Sequence, residues 1–171
     1  TITSENPSFY QSIKIANQWC TEWEEELLSD EVLADRIAEL VKTKNGLRGF
    51  FAYALSDINC SLLDKLPSSL LFKFVEGGEQ IVEITIKNLV MSSAQIINHQ
   101  RDNNPKYEEL SANISDRCIK ILRVLDTKLV KNKVNMILDD LDNLGNSINN
   151  SKKYDLKQKA FIKEKIAKIA K

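Results

Sequence analysis

Apolar residues recur every three or four positions along most of the chain, which is the spacing of one face of an α-helix. The first run contains Phe9, Ile13, Ala16, Cys20, Trp23 and Leu27. It follows Asn6-Pro7, a favourable cap and first-turn pair, and predicts a helix that continues to Leu28. Ser29-Asp30-Glu31 then predicts a new helix start, and we expect Asn45-Gly46 to end that second helix.

The middle of the chain predicts several short helices. Residues 47–55 are rich in aromatic side chains, and Ser56-Asp57 is a suitable cap for a further turn that runs to Leu66. Pro67 precedes a short apolar segment, 68–76, that we expect Gly77-Gly78 to end.

The next segment, 79–101, predicts the central helix of the fold. It contains no Gly or Pro and is several times longer than a typical strand. One broad face of its helical wheel is apolar, and Ile84 and Met91 lie nearly opposite that face. A helix that is apolar on two sides is usually surrounded by other helices. We therefore predict an all-α, multi-helix bundle of about six to nine helices around this apolar helix.

The C-terminal third predicts helices separated by polar breaks. Asn103-Asn104-Pro105 interrupts the chain, and the apolar stripe that follows shifts its register near Asp126-Thr127, which predicts a kinked helix or two helices. After a polar loop over 145–151, a last helix is expected from about Tyr154. We expect a bundle domain over 1–150 and a Lys-rich amphipathic helix over 151–171 that docks on it.

The composition limits the class of protein without naming an activity. Of the 171 residues, 43% are hydrophobic and 28% are charged, which is typical of a globular domain. No apolar run approaches the roughly 18–20 residues that span a bilayer, and the N-terminus lacks a signal-like pattern. Cys20, Cys60 and Cys118 are widely spaced and predict reduced packing residues. A cytoplasmic location fits best.

One flank of the predicted central helix is polar and carries the only histidine of the chain. Asn88, Ser92, Gln95 and His99 follow a 4-3-4 spacing and lie in one line. They form either the lining of a small-ligand or proton-handling site, or an ordinary hydrogen-bonded seam between helices. The flank has no carboxylate and no nucleophile beside a base, so the seam is favoured.

Motifs that would indicate catalysis or a cofactor are absent from the sequence. Gly77-Gly78 lacks the lysine of a phosphate-binding loop, and neither His-Glu-x-x-His nor Gly-x-Ser-x-Gly occurs. The segment after Asp139 fails as a calcium loop because its twelfth position, counted from Asp140, is Ser151. We therefore predict no catalytic residue, no metal site and no cofactor, and an enzyme is left open but not favoured.

Charge is unevenly distributed although the chain is neutral overall. Residues 151–171 hold eight lysines against Asp155 and Glu164, a balance of +6. Their apolar stripe needs cover, so this tail docks on the bundle, binds a partner or a second copy, or contacts an anionic surface. The expected contact residues are Lys157, Phe161, Lys165, Ile166 and Lys168. Nucleic acid is not favoured because the tail has no Arg and few aromatic residues, and a membrane is not favoured either.

The leading hypothesis is a non-enzymatic helical interaction or regulatory protein that binds a protein partner, possibly a second copy of itself. The second is a small-ligand-binding protein or helical enzyme that uses the seam around His99. The third is a nucleic-acid or membrane-surface binder that uses the Lys-rich tail.

Overall fold

The computed structural model describes residues 6–143 and 154–170, and 80% of these residues are helical. Within these ranges the chain forms eight α-helices, one short 3-10 helix and no strand. The prediction of an all-α, multi-helix bundle is therefore confirmed. The helices are α1 (Phe9–Glu24), α2 (Asp30–Leu40), α3 (Lys44–Ser56), α4 (Ser68–Glu76), α5 (Gly78–Arg101), α6 (Pro105–Val124), α7 (Thr127–Asp142), α8 (Leu156–Ala167) and the 3-10 helix η1 (Lys168–Ala170).

The chain divides into two compact units, 1–84 and 85–171, and the division falls inside α5. The sequence predicts a bundle domain over 1–150 and a tail helix over 151–171, and this domain assignment stays a prediction. In the structure α8 packs with α6 and α7 in the second unit. Helix α5 continues across this division. Its first turns, up to residue 84, belong to the first unit, and the rest of the helix belongs to the second.

In the first unit, α1 packs on α3 and α2 packs on α4. The Ser8 hydroxyl caps α1, where the sequence had suggested Asn6, and Gln11 completes the capping box. Gly49 of α3 lies so close to α1 that an added Cβ would sit 2.5 Å from the Ser12 Cβ. This close approach explains a glycine in the middle of α3.

The core of this unit is aromatic. Phe50 and Phe51 of α3 are fully buried and meet edge to face, with ring centroids 5.1 Å apart. Phe74 of α4 packs against both rings. These three rings hold the inner face of α4 against α3, because burying their large apolar area is favourable.

The predicted helix end at Asn45-Gly46 is wrong. Helix α2 already ends at Leu40, and both residues lie in the first turn of α3. The Thr43 hydroxyl accepts a hydrogen bond from the Gly46 N–H at 3.0 Å and so starts a helix at this point. A Cβ at Gly46 would lie 1.8 Å from the Leu40 carbonyl oxygen, so this glycine is needed for close approach.

Other predicted boundaries also shift. Helix α1 ends at Glu24 rather than Leu28, since the chain turns at Glu26, whose φ is 62°. The segment after Asp57 forms turns up to Pro67 rather than a further helix. The predicted segment 68–76 is α4, and Gly78 has the left-handed φ of 57° that glycine tolerates. The predicted loop over 145–151 lies outside the described residues.

In the second unit, the predicted break near Asp126-Thr127 separates two helices. The Asp126 carboxylate accepts hydrogen bonds from the N–H groups of Lys128 and Leu129 and caps α7. Helix α8 has a capping box in which Asp155 and Gln158 each accept from the other's backbone N–H.

Large apolar side chains of α1, α3 and α5 are mostly buried. Trp19, Phe50, Phe51, Leu89 and Ile97 are all buried, whereas Trp23 is half-buried and donates its indole N–H to Asp30 at 2.8 Å. Met91 of α5 is 44% exposed, so this helix is not enclosed at that position. No helix in the described part of the chain is long and apolar enough to cross a membrane.

Candidate functional site

The polar flank of α5 contacts α6 through two of its four residues. The Ser92 and Ser115 hydroxyls share a hydrogen bond of 2.8 Å, and both side chains are buried. The His99 ring lies 5.8 Å from the Tyr107 ring, centroid to centroid. Gln95 is exposed and accepts a hydrogen bond from Asn98 of the same helix, and Asn88 is half-buried. The flank therefore mixes contacts between helices with solvent-facing positions.

The tail helix α8 covers its apolar stripe within its own unit. Ile162 and Ile166 are buried. The Gln158 side-chain amide donates to the Ala94 carbonyl and the Asn98 side-chain oxygen of α5. The two helices therefore meet through polar contacts.

The expected contact residues of the tail divide by burial. Lys165 is 9% exposed, with its Nζ 5.3 Å from the centroid of the Phe161 ring, and Ile166 is 5% exposed. Lys157 and Lys168 are exposed. The Lys168 carbonyl also accepts hydrogen bonds from the Arg123 guanidinium. The lysines at 157 and 168, and not Lys165 or Ile166, are available at the surface.

A pocket of about 190 Å³ lies between the C-terminal part of α1 and the turn after α3. Asp57 shapes that turn, because its carboxylate accepts from the Asn59 N–H at 2.9 Å and its carbonyl accepts from the Cys60 N–H at 3.1 Å. Cys60 is thereby placed against Cys20 of α1. The lining residues are Cys20, Thr21, Glu24, Glu25, Tyr53, Asp57, Asn59 and Cys60.

Hydrogen bonds hold the acidic groups of this pocket. The Tyr53 hydroxyl donates to the Asp57 carboxylate at 2.6 Å, and burial together with this bond raises the pKa of Tyr53. The Ser61 hydroxyl and N–H donate to one Glu24 oxygen at 2.6 and 3.0 Å, which lowers the pKa of Glu24. The Glu24 carboxylate therefore stays charged near neutral pH.

The two thiols of the pocket contact each other. The side chains of Cys20 and Cys60 are hydrogen-bonded to each other. This bond, helped by the Leu62 N–H, lowers the pKa of Cys60, and the same bond and burial raise the pKa of Cys20. The pair thus consists of one sulfur that favours the thiolate and one that retains its proton. Across the part of the chain that the structure describes, no group of three or more His, Cys, Asp or Glu is placed to hold a metal ion.

A second feature of the first unit is the outer face of α4. Its inner residues Leu70 and Phe74 are buried, whereas Phe72 is 62% exposed and Val75 is 45% exposed. The two exposed residues are three positions apart and share a helix face. The Ser69 hydroxyl donates to Glu31 at 3.3 Å and Lys73 pairs with Asp35 at 3.5 Å, so α4 is fixed beside the acidic helix α2.

Sequence reasoning missed both of these features. Forty positions separate Cys20 from Cys60, and only the packing of α1 on α3 brings them together. The outer face of α4 had a visible sign, because the segment Ser-Ser-Leu-Leu-Phe-Lys-Phe-Val-Glu is apolar on more than one side of a helix.

Comparison with known proteins identifies a family. No curated protein and no solved structure matches the chain significantly. One family model, Uncharacterised conserved protein UCP020893, matches residues 8–169, which is nearly the whole chain. The chain with the paired thiols and the exposed α4 face is therefore a member of the uncharacterised conserved protein family UCP020893.

Proposed function

We propose that this protein is a non-enzymatic helical protein that binds a protein partner through an α4–α2 face. This face consists of Phe72 and Val75 on α4 and of the acidic outer side of α2. The observation that carries the proposal is the pair of large apolar side chains exposed side by side on α4. Single exposed apolar residues are ordinary, but adjacent ones on a rigid helix favour a binding surface.

Helix α4, which carries the apolar part of this face, is held firmly within the first unit. Leu70 and Phe74 hold α4 to the aromatic core, and contacts to Glu31 and Asp35 fix its edge. Binding would therefore require little ordering of α4, which reduces the entropic cost of association. Phe72 and Val75 are suited to act as apolar anchors in a partner's groove or against its helix.

The charge around the face indicates the chemistry of the partner. Helix α2 carries Asp30, Glu31, Asp35 and Glu39 against Arg36 alone, and the four acids are exposed. A surface with apolar anchors beside carboxylates complements an amphipathic segment rich in Lys or Arg. We therefore propose a basic amphipathic helix of another protein as the bound element.

The proposal includes a cytoplasmic location, which the three reduced and buried cysteines support. The tail is a weaker candidate for partner binding than the α4–α2 face, since its apolar stripe is covered within the second unit. Its exposed lysines are suited to binding an anionic surface, and the experiment below distinguishes this alternative.

The test is a quantitative pulldown from the native cell extract with the wild-type chain, Phe72→Ala and a matched control, Tyr10→Ala. Tyr10 is 75% exposed on α1 and lies outside the proposed face. We expect one protein to be retained by the wild type and the control and to be reduced at least tenfold by Phe72→Ala. The purified partner should then bind directly, through a Lys- or Arg-rich helix, with a loss of roughly 30-fold or more for Phe72→Ala, as for an interface hot spot.

Two results would contradict the proposal. One is equal retention of every partner by Phe72→Ala and the wild type. The other is binding of the wild type to heparin or anionic vesicles that Lys157→Gln and Lys168→Gln abolish while Phe72→Ala leaves it intact. That pattern would assign binding to the tail.

A further inference from the structure

We infer that Cys20 and Cys60 form a reversible intrachain disulfide, so that the pocket between α1 and the turn after α3 is a site of oxidative modification. The inference is independent of the proposed partner binding, because the thiols lie outside the α4–α2 face.

The two sulfurs are placed close together in the fold. Both sulfurs line one pocket and are in hydrogen-bond contact with each other. A disulfide requires the sulfurs to approach to about 2.05 Å. Cys60 belongs to the short turn after α3, and Cys20 lies within the last turns of α1. Closing the bond requires this turn to move toward α1.

Access to the two sulfurs is through the pocket. Cys20 and Cys60 are each nearly inaccessible at the residue level, at 1% and 2% exposed. The pocket they line also includes Thr21, Glu25 and Asn59, which are exposed. A small oxidant such as hydrogen peroxide can reach the sulfurs from this side, whereas a protein-sized reagent cannot. By contrast, Cys118 is 0% exposed on α6, and burial raises the pKa of its thiol.

The two sulfurs also differ in character. The hydrogen bond with Cys20 lowers the pKa of Cys60, burial opposes this effect, and the Leu62 N–H adds to the lowering. Cys20 keeps its proton and lies directly beside Cys60. A thiolate that attacks the oxidant and a neighbouring thiol that resolves the product are the two parts of a redox-sensing pair.

With hydrogen peroxide as the oxidant, the reaction balances in two steps. The Cys60 thiolate attacks one peroxide oxygen, the O–O bond breaks, and the leaving hydroxide takes up the proton lost by Cys60 to give water and a sulfenic acid. The Cys20 sulfur then attacks the Cys60 sulfur, the S–O bond breaks, and the second hydroxide leaves as water with the proton of Cys20. Two electrons pass from the two sulfurs to the peroxide, and a dithiol reductant reverses the change.

The bond would tie α1 to the turn that follows α3. At present Glu24 and Ser61 join these segments through two hydrogen bonds at the surface. A covalent link would close a loop of forty residues between positions 20 and 60 and restrict the unfolded chain. Oxidation is therefore expected to stabilise the first unit against unfolding.

The test treats the purified full-length chain with hydrogen peroxide, blocks remaining thiols in denaturant, and maps tryptic peptides by mass spectrometry. We expect a linked pair of peptides, 15–36 with 49–65, at a mass about 2 Da below the sum of the free peptides because two hydrogens are lost. Dithiothreitol should reverse the link, and the oxidised chain should melt at a higher temperature than the reduced chain. Cys118 should remain unmodified.

Two variants separate this chemistry from simple packing. In Cys20→Ser the Cys60 sulfenic acid has no resolving thiol, so we expect it to accumulate and to react with dimedone. Cys118→Ser should form the link as the wild type does. The inference is overturned if the wild-type protein, which needs no substitution to be tested, stays reduced at both positions. It is also overturned if oxidation joins Cys118 or separate chains, or stops at a sulfinic acid on Cys60.

Discussion

At the scale of single residues, burial separates side chains that the sequence pattern treats alike. Trp19 and Trp23 are four positions apart and share a face of α1, yet only Trp19 is fully buried. Helix α1 ends at Glu24, so Trp23 lies in its last turn and reaches Asp30 of the next helix. On α8 the pattern and the burial agree, because Ile162 is buried and its neighbour Lys163 is exposed.

That contrast gives a prediction about how the tail is held. Ile162 is 0% exposed, so Ile162→Ala should lower the free energy of unfolding by about 2–5 kcal/mol. Lys163 pairs with Asp142, but their side chains are 44% and 63% exposed. Lys163→Ala should therefore cost less than about 1 kcal/mol. Urea unfolding of both variants measures the difference, and equal losses would mean that the charge pair contributes as much as packing to holding α8.

At the scale of elements, most helices begin at a side-chain cap, and the cap of α8 also carries a charge. The Asp155 carboxylate accepts from the Gln158 N–H at 2.9 Å and pairs with Arg101 of α5 at 2.6 Å. The Arg101 guanidinium, followed by the Gln158 N–H, lowers the pKa of Asp155 to about 2. The carboxylate therefore joins the start of α8 to α5.

A dependence on pH follows with a definite sign. The folded pKa of Asp155 lies below its ordinary value of 3.8, so its stabilising effect is complete above about pH 4 and is lost as the pH falls towards 2. Asp155→Asn keeps a capping oxygen but loses the charge. The melting temperature of this variant should lie below that of the wild type at pH 6, and the gap should narrow by pH 2.5. A gap of constant size would show that the carboxylate charge does not contribute.

At the scale of the whole molecule, charge is segregated between the two units. Residues 1–84 hold seven basic and fourteen acidic residues, a net charge of −7, and residues 85–171 hold seventeen basic and ten acidic residues, a net charge of +7. The overall balance of zero conceals this division. Electrostatic attraction acts on local surfaces within about 10 Å at 0.1 M salt, so each unit presents its own charge to a partner.

The division predicts retention on both kinds of ion exchanger at pH 7 and low salt. The exposed Lys157, Lys163 and Lys168 belong to the basic unit. Replacing all three with Gln should lower the salt concentration that elutes the protein from a cation exchanger, because three positive charges are lost. Elution from an anion exchanger should not move to lower salt. Failure of the wild type to bind either resin would show that the charges compensate locally.

Prediction from the sequence was most successful where the determining interactions are local. Helical periodicity, scarce Gly and Pro, and caps such as Ser29 and Asp126 depend on neighbours a few positions away. They were enough to predict the all-α class, helix α4 and the break between α6 and α7. The predicted helix end at Asn45-Gly46 is wrong because the Thr43 cap and the close approach of Leu40 outweighed the usual preference of Asn-Gly for a helix end.

The tertiary structure alone decided which distant residues meet. The sequence by itself determined the helical class, the neutral overall charge and the amphipathic tail, since these follow from composition and local spacing. It did not determine the contact between Cys20 and Cys60, the exposure of Phe72, or the division inside α5. Helical periodicity shows that a side chain lies on a face, but packing between segments far apart in the chain decides whether that face is covered and by which residue.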